Sequence, residues 1–212
     1  MENLVRIKIN SITLEGMLAI PKNAKGIVLF AHGSGSSRLS PRNNFVATVL
    51  QKAGIGTLLI DLLTEQEDEI YQTRFDIDLL TDRLVTIIEW LNKNSDTKHL
   101  SLGLFGASTG AASALKVAAK LGKKIKAVVS RGGRPDLAMD VLDKVTSPTL
   151  LIVGGNDFGV IELNEQAFQV LGSTKKLEIV EGATHLFEEE GALAEVAHLA
   201  TSWFKKYLPK QI

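Results

Sequence analysis

Ser108 stands in Gly106-Ala-Ser-Thr-Gly110, a serine with glycine two positions to either side. A serine hydroxyl is a poor nucleophile unless a base removes its proton, and that base needs a third group to fix its tautomer. Two downstream segments offer such partners: Gly154-Gly-Asn-Asp157 supplies a carboxylate, and Gly182-Ala-Thr-His185 supplies an imidazole. In that combination Asp157 holds His185, His185 deprotonates Ser108, and Ser108 attacks an acyl carbon. The resulting oxyanion needs two hydrogen-bond donors. The amide of Thr109, next after the serine, is one candidate. The amide of Ser34, within His32-Gly-Ser-Gly-Ser-Ser37, is the other, with Gly33 and Gly35 letting that backbone approach closely. Each residue taken singly also has a plain use, as a turn serine, a turn aspartate or a helix-capping histidine. What favours the catalytic reading is their order and placement.

That placement follows from the hydrophobic pattern. Segments 5–9 and 12–20 alternate with period two around a short polar break, which predicts an antiparallel pair. After Pro21 the apolar runs lose alternation, at 27–31, 56–60, 100–105, 127–130, 149–153 and 176–180, as strands buried on both faces do. Helical periodicity fills the gaps at 43–52, 75–91, 109–121, 161–170 and 193–207, giving the crossovers a parallel sheet requires. The expectation is one α/β domain over 1–212: a mostly parallel sheet of about eight strands with an antiparallel start and helices on both faces. Loops leaving the carboxyl ends of parallel strands share one rim, where ligands bind. Ser108, Asp157, His185, Ser34 and Asp61 all fall there. The serine joins a buried strand directly to a helix, the context a nucleophile elbow needs, and the chain order Ser, Asp, His belongs to that architecture. His32 precedes its turn and has no orienting acid, so it is expected to brace the loop.

Composition narrows the functional classes. Lysine plus arginine and aspartate plus glutamate both number 24 in 212 residues, so no net field draws the chain to nucleic acid or to an anionic membrane. There is no cysteine, which excludes a thiolate nucleophile, a disulfide framework and cysteine-type zinc sites. No metal or cofactor is expected. The amino terminus lacks the pattern of a secretory signal, and no apolar run approaches ~18 residues, so a cytoplasmic protein is expected.

Four arginines also fall on the rim: Arg38, Arg42, Arg131 and Arg134. Arg42 is unexpected in the first turn of a helix started by Ser40-Pro41, where a cation is disfavoured by ~0.3–1 kcal/mol. Two readings stand side by side. The guanidinium groups bind a carboxylate or phosphate on a substrate, or they pair with Glu188, Glu189 or Glu190 and hold loops together. Only 28 positions separate Asp157 from His185, and 47 separate Asp61 from Ser108, so no large cap domain fits. Residues 62–71 form either a short lid or an acidic surface loop. A small soluble substrate follows from so open a site.

His32-Gly-Ser-Gly-Ser-Ser37, Gly106-Ala-Ser-Thr-Gly110, Gly155-Asn-Asp157 and Ala183-Thr-His185-Leu-Phe187, in that order across most of the chain, resemble the dienelactone hydrolase family. The resemblance implies the α/β-hydrolase fold, a Ser108/His185/Asp157 triad and cleavage of a small ester or lactone. Dienelactone hydrolases proper use a cysteine nucleophile where this chain has Ser108, which turns the expectation toward a serine carboxylic-ester hydrolase. Three other readings compete. An acyltransferase would use the same triad with a different acceptor. A binding module would keep the fold without the chemistry. A nucleotide-binding domain would use Gly33, Gly35 and Asp61, but the third glycine of that fingerprint is replaced by Arg38 and two strands precede it.

Overall fold

The structure is a computed structural model and describes residues 2–208. Strands β1 (Glu2–Ile9) and β2 (Ile12–Ala19) form the antiparallel ribbon. Six more follow: β3 (Gly26–Ala31), β4 (Gly56–Ile60), β5 (Ser101–Ala107), β6 (Ile125–Arg131), β7 (Thr149–Gly154) and β8 (Lys175–Val180). They make one sheet of eight in the order β1-β2-β4-β3-β5-β6-β7-β8. β2 joins β4 antiparallel, and every pair from β4 onward is parallel. The central strands carry no polar stripe because both faces are covered: all six residues of β3, and likewise of β7, are buried.

The helices divide between the two faces. On one lie α1 (Pro41–Lys52) and α6 (Ala192–Tyr207), whose Val46, Leu50, Val196 and Phe204 pack with Val28, Phe30, Phe105 and Val129 of the sheet. On the other lie α3 (Ile77–Lys93) and α4 (Thr109–Leu121), with Leu84, Ile88, Ala114 and Leu115 against Leu29, Leu58, Leu104 and Val128. α5 (Phe158–Val170) follows β7. Strand alternation thus feeds two separate apolar layers, each closed by a different pair of helices. Ser40 caps α1 by accepting from the Asn43 amide at 3.3 Å, and Pro41 fills the first helical position.

The segment expected to be a lid or an acidic loop is an ordered short helix, α2 (Glu65–Asp68), followed by a 3-10 turn over Tyr71–Phe75. Thr64 and Glu67 form a reciprocal capping box. Arg83, only 6% exposed, donates to the Leu62 carbonyl at 2.6 Å and to both carboxylate oxygens of Glu67. The guanidinium holds the Glu67 carboxyl down at about 2, well below the ordinary carboxylate range. A second 3-10 segment, Pro135–Lys144, packs beside α4 and was not expected from the pattern.

His32 ties the first two βα loops together. Its Nδ1 donates to the Gly33 carbonyl at 2.9 Å, and its Nε2 accepts from the Leu62 amide at 2.9 Å. These partners demand the neutral ring with the proton on Nδ1. Burial lowers its pKa from the ordinary histidine value, outweighing the attraction of Asp61 and Asp68. The expected bracing role matches this geometry.

Two predictions follow from these contacts. A Cβ on Gly110 would stand 2.2 Å from the Ala31 carbonyl oxygen and 2.5 Å from that of His32, whereas one on Gly159 of α5 meets nothing within 4 Å. Urea denaturation should therefore show Gly110→Ala losing about 3 kcal/mol or more, while Gly159→Ala gains up to ~1 kcal/mol from helix propensity. For His32 the folded-state pKa lies below the unfolded one. Its contribution to stability is complete above the unfolded value of ≈ 6.5 and is lost as pH falls below it. Between pH 7.5 and pH 5 the wild type should lose more stability than His32→Gln; equal losses would refute the neutral brace.

Candidate active site

The elbow at Ser108 starts from backbone sterics. Ser108 has φ 51° and ψ −121°, a left-handed conformation that few non-glycine residues adopt. Neighbouring strands and turns fix it there. Its N–H donates to the Arg131 carbonyl at 3.2 Å, and its own carbonyl accepts from the amides of Ala111 and Arg134, each at 3.1 Å. Gly106 is required because a Cβ would lie 2.4 Å from the Ala111 Cα. The strand end, the first turn of α4 and the 131–134 loop thereby lock one another, with Ser108 at their junction.

His185 and Asp157 come together from consecutive loops. His185 Nδ1 donates to Asp157 Oδ2 at 2.7 Å. Asp157 begins α5 without capping it through its side chain, which leaves the carboxylate available to the imidazole. The two loops are tied by Asn156 N–H to the Ala183 carbonyl at 2.9 Å and by Asn156 Nδ2 to the Gly182 carbonyl at 2.9 Å. With Nδ1 committed to the carboxylate, Nε2 is the nitrogen able to take a proton. Gly132 backs the imidazole: a Cβ there would be 3.4 Å from His185 Cε1. Since the preceding carbonyl, that of Arg131, receives the Ser108 amide, serine and histidine border the same two-residue stretch.

The glycine-rich loop after β3 lies against Ser108, a Cβ on Gly33 falling 3.0 Å from Ser108 Cβ. Here the structure departs from the expectation for Ser34. Its amide donates to Thr109 Oγ1 at 2.9 Å and is not free toward the rim. Thr109 opens α4 and is 2% exposed, so its hydroxyl reaches the neighbouring loop and takes the nearest donor. The Thr109 amide keeps its expected place directly after Ser108.

The four rim arginines do not act alike. Arg38 is bound by Glu15 at 2.7 Å and by Asp61, which also accepts the Arg38 amide at 2.7 Å. This removes Arg38 from the substrate-binding set and also occupies the acid that a nucleotide-binding reading would use. Arg134 makes a bidentate pair with Asp136 at 2.9 and 2.8 Å, which takes it from the set as well. Both corrections have one physical cause: each guanidinium has a carboxylate within its own loop or the adjoining strands. Arg42 pairs with Glu188 at 3.2 Å, as the loop-holding reading expected. Arg131 has no carboxylate within ion-pair distance among the described residues. Asn164, which no pattern in the sequence marks, is fully buried on α5, and its Nδ2 donates to the Gly133 carbonyl at 3.0 Å and steadies the 131–134 loop.

A cavity of about 680 Å³ opens beside the β3 loop, lined by Glu15, His32, Ser36, Arg38, Asp61 and Thr64 among others. None of Ser108, Asp157 or His185 lines it. Phe158, 70% exposed, adjoins Asp157, and the exposed Leu186 adjoins His185, so an apolar side chain stands next to each member of that hydrogen-bonded pair. Among the described residues no helix is long and apolar enough to cross a membrane.

Comparison with known proteins agrees with this geometry. The dienelactone hydrolase family model matches residues 14–208. The crystal structure of a dienelactone hydrolase from Anabaena variabilis is similar at 56% identity, with a TM-score of 0.96 and 99% of each chain covered. Est1E of Butyrivibrio proteoclasticus, with ferulic acid bound, shares the fold alone, at 18% identity and a TM-score of 0.83 over 96% of this chain and 98% of that one. A curated Mycobacterium tuberculosis protein named "Putative phosphoribosyl transferase Rv0571c" is 52% identical over 204 residues. The match takes in 96% of this chain but only 46% of that relative, so the chain spans about half its length. An eight-stranded sheet in this order, a serine on a strained strand-to-helix turn and a family match over nearly the whole chain agree: the chain belongs to the dienelactone hydrolase family and has the α/β-hydrolase fold.

Proposed function

We propose that the protein is a serine hydrolase that cleaves a small soluble carboxylic ester or lactone through an acyl-enzyme. The observation that carries this reading is the 2.7 Å hydrogen bond from His185 to Asp157, beside a serine held at positive φ on the same rim. His185 Nε2 takes the Ser108 proton as Oγ attacks the carbonyl carbon, and Asp157 stabilises the imidazolium that forms. The C=O pair moves onto oxygen, where the Thr109 amide and the amino end of α4 receive the charge. Collapse expels the alkoxide, which takes the proton from His185. Water then repeats the sequence and frees Ser108. The exposed Phe158 and Leu186, sequence neighbours of Asp157 and His185, suit an apolar acyl or alcohol portion of modest size.

The name carried by the mycobacterial relative describes a protein of which this chain matches 46%, and the matched part contains the elbow. The reading therefore rests on the elbow. Ordinary loss-of-nucleophile behaviour is expected. A fluorophosphonate probe should label the wild type and leave Ser108→Ala unlabelled. In a panel of esters varied in chain length and charge, Ser108→Ala should lose roughly a thousandfold or more in kcat/KM. Equal labelling of both proteins, or of neither, would sink the proposal, the latter favouring a non-catalytic binding module.

A further inference from the structure

Arg131 is 6% exposed, yet its charge has no carboxylate partner among the described residues. The one hydrogen bond its side chain makes runs from Nη2 to Asn43 Oδ1 and is long, at 3.3 Å. Its Nε has no acceptor, and neither does the buried Nε of Arg42. The guanidinium lies over the Phe187 ring, 5.8 Å from the centroid, which is weak compensation for a buried cation. Its surroundings are otherwise positive. Arg42 stands close enough to pull the Arg131 pKa down further after burial has lowered it, to about 10. Both sit at the amino end of α1, a 12-residue helix with no acidic residue in its first turn. Among the described residues the one acid in ion-pair distance of either arginine is Glu188, which meets Arg42 and has a side chain 65% exposed.

Burying a charge without a partner costs several kcal/mol, so an arrangement of this kind indicates an anion supplied from outside the chain. The position is next to the chemistry. Arg131 pairs with Ala107 across β5 and β6, its carbonyl holds the Ser108 amide, and Phe187 lies two residues beyond His185. The Arg42 side chain, 32% exposed, opens the cluster to solvent. Two arginines approach from different elements, each with an Nε–H to spare. A carboxylate offers two oxygens and a single charge, whereas a phosphoryl group offers three oxygens and nearly two charges.

We propose that Arg131 and Arg42 form a binding site for a phosphoryl group at the first turn of α1. Resting on the hydrolase reading above, this group belongs to the ester substrate. Asn43 orients Arg131 toward it, and Glu188 gives way at Arg42 when the group binds.

Inorganic phosphate titrated calorimetrically into Ser108→Ala tests the site without any turnover. One phosphate should bind per chain, and succinate at least tenfold more weakly. Arg131→Met should weaken phosphate binding at least tenfold while leaving the melting temperature in phosphate-free buffer unchanged or raised, because it removes an unpaired charge. Should that variant fail to fold, Arg42→Met, at the half-buried position, must weaken phosphate several-fold with an unchanged melting temperature. No phosphate binding, equal succinate binding, or a folded Arg131→Met that melts lower without phosphate would overturn the site. The substrate assignment is read separately in active protein. Phosphate should inhibit hydrolysis of p-nitrophenyl acetate competitively, and Arg131→Met should lower the ratio of kcat/KM for a phosphorylated ester to that for p-nitrophenyl acetate at least tenfold; an unchanged ratio would overturn the substrate assignment. Phosphate binding with no competition would overturn the substrate assignment while leaving the hydrolase intact. Failure of fluorophosphonate labelling would overturn the hydrolase and leave the calorimetric result to decide the site.

Discussion

The close approach of α4 to the end of β3 is the constraint from which the rest of the site follows. The helix can start where it does only because Gly110 lets the backbone come against the carbonyls of Ala31 and His32, and Gly106 lets the strand end meet Ala111. With those contacts made, the residue between them has no choice of conformation, and Ser108 takes a positive φ. The strain persists because three backbone hydrogen bonds over-determine it. The same contact seats the β3 loop beside the nucleophile. That loop is then fixed from the other side by His32, whose ring bridges it to the loop after β4. Positioning a hydroxyl thus becomes a packing problem between two elements, solved by residues that lack side chains.

This explains why the architecture was legible in the sequence. Strands covered on both faces must be apolar throughout, so β3 to β7 stood out as unbroken runs, and the ribbon of β1 and β2 betrayed its exposed face by alternation. The elbow was legible for a related reason, since glycines placed by a steric requirement leave a fixed spacing. Elsewhere the pattern gave less. α5 begins at Phe158, ahead of the expected start at 161, because Phe158 projects into solvent and breaks the apolar period. The segment Pro135–Lys144 is 3-10 in type, with a non-helical residue at Ala138, and such irregular turns have no sustained period to read.

Charged residues were the least legible, and for a physical reason. A side chain long enough to reach several neighbours chooses its partner in three dimensions. The run 65–69 looked like a solvated stretch, yet Glu67 from it meets the buried Arg83 sixteen positions away and anchors the whole segment to α3. The rim arginines looked equivalent because they share an edge of the sheet. Arg38 and Arg134 find acids beside them, whereas Arg131 leaves β6 toward α1, where the nearest groups are an amide, an aromatic ring and another arginine. One sequence signal found a match: a cation in the first turn of α1 called for a compensating acid, and Glu188 pairs with Arg42 there.

The hydrogen bond from Ser34 to Thr109 bears on how a hydrolase with this site would discriminate its transition state. An amide aimed at a neutral hydroxyl is satisfied in the resting protein, so it costs nothing to keep it beside the nucleophile. A substrate carbonyl is also a neutral acceptor and gains little by displacing Thr109 Oγ1. Once the carbonyl oxygen takes a full negative charge the balance changes, because hydrogen bonds to ionised acceptors are roughly twice as strong as neutral ones. On the ester-hydrolase reading, a turn of the Thr109 side chain about χ1 would free the Ser34 amide for that oxygen, and the exchange would be favourable only after Ser108 has attacked. Binding energy withheld from the ground state and delivered to the intermediate is the kind that raises kcat. On that reading the Ser34 amide, occupied by Thr109 Oγ1 in the structure, would become a donor only in the intermediate, so its departure from the expected free donor would itself favour the transition state over the ground state.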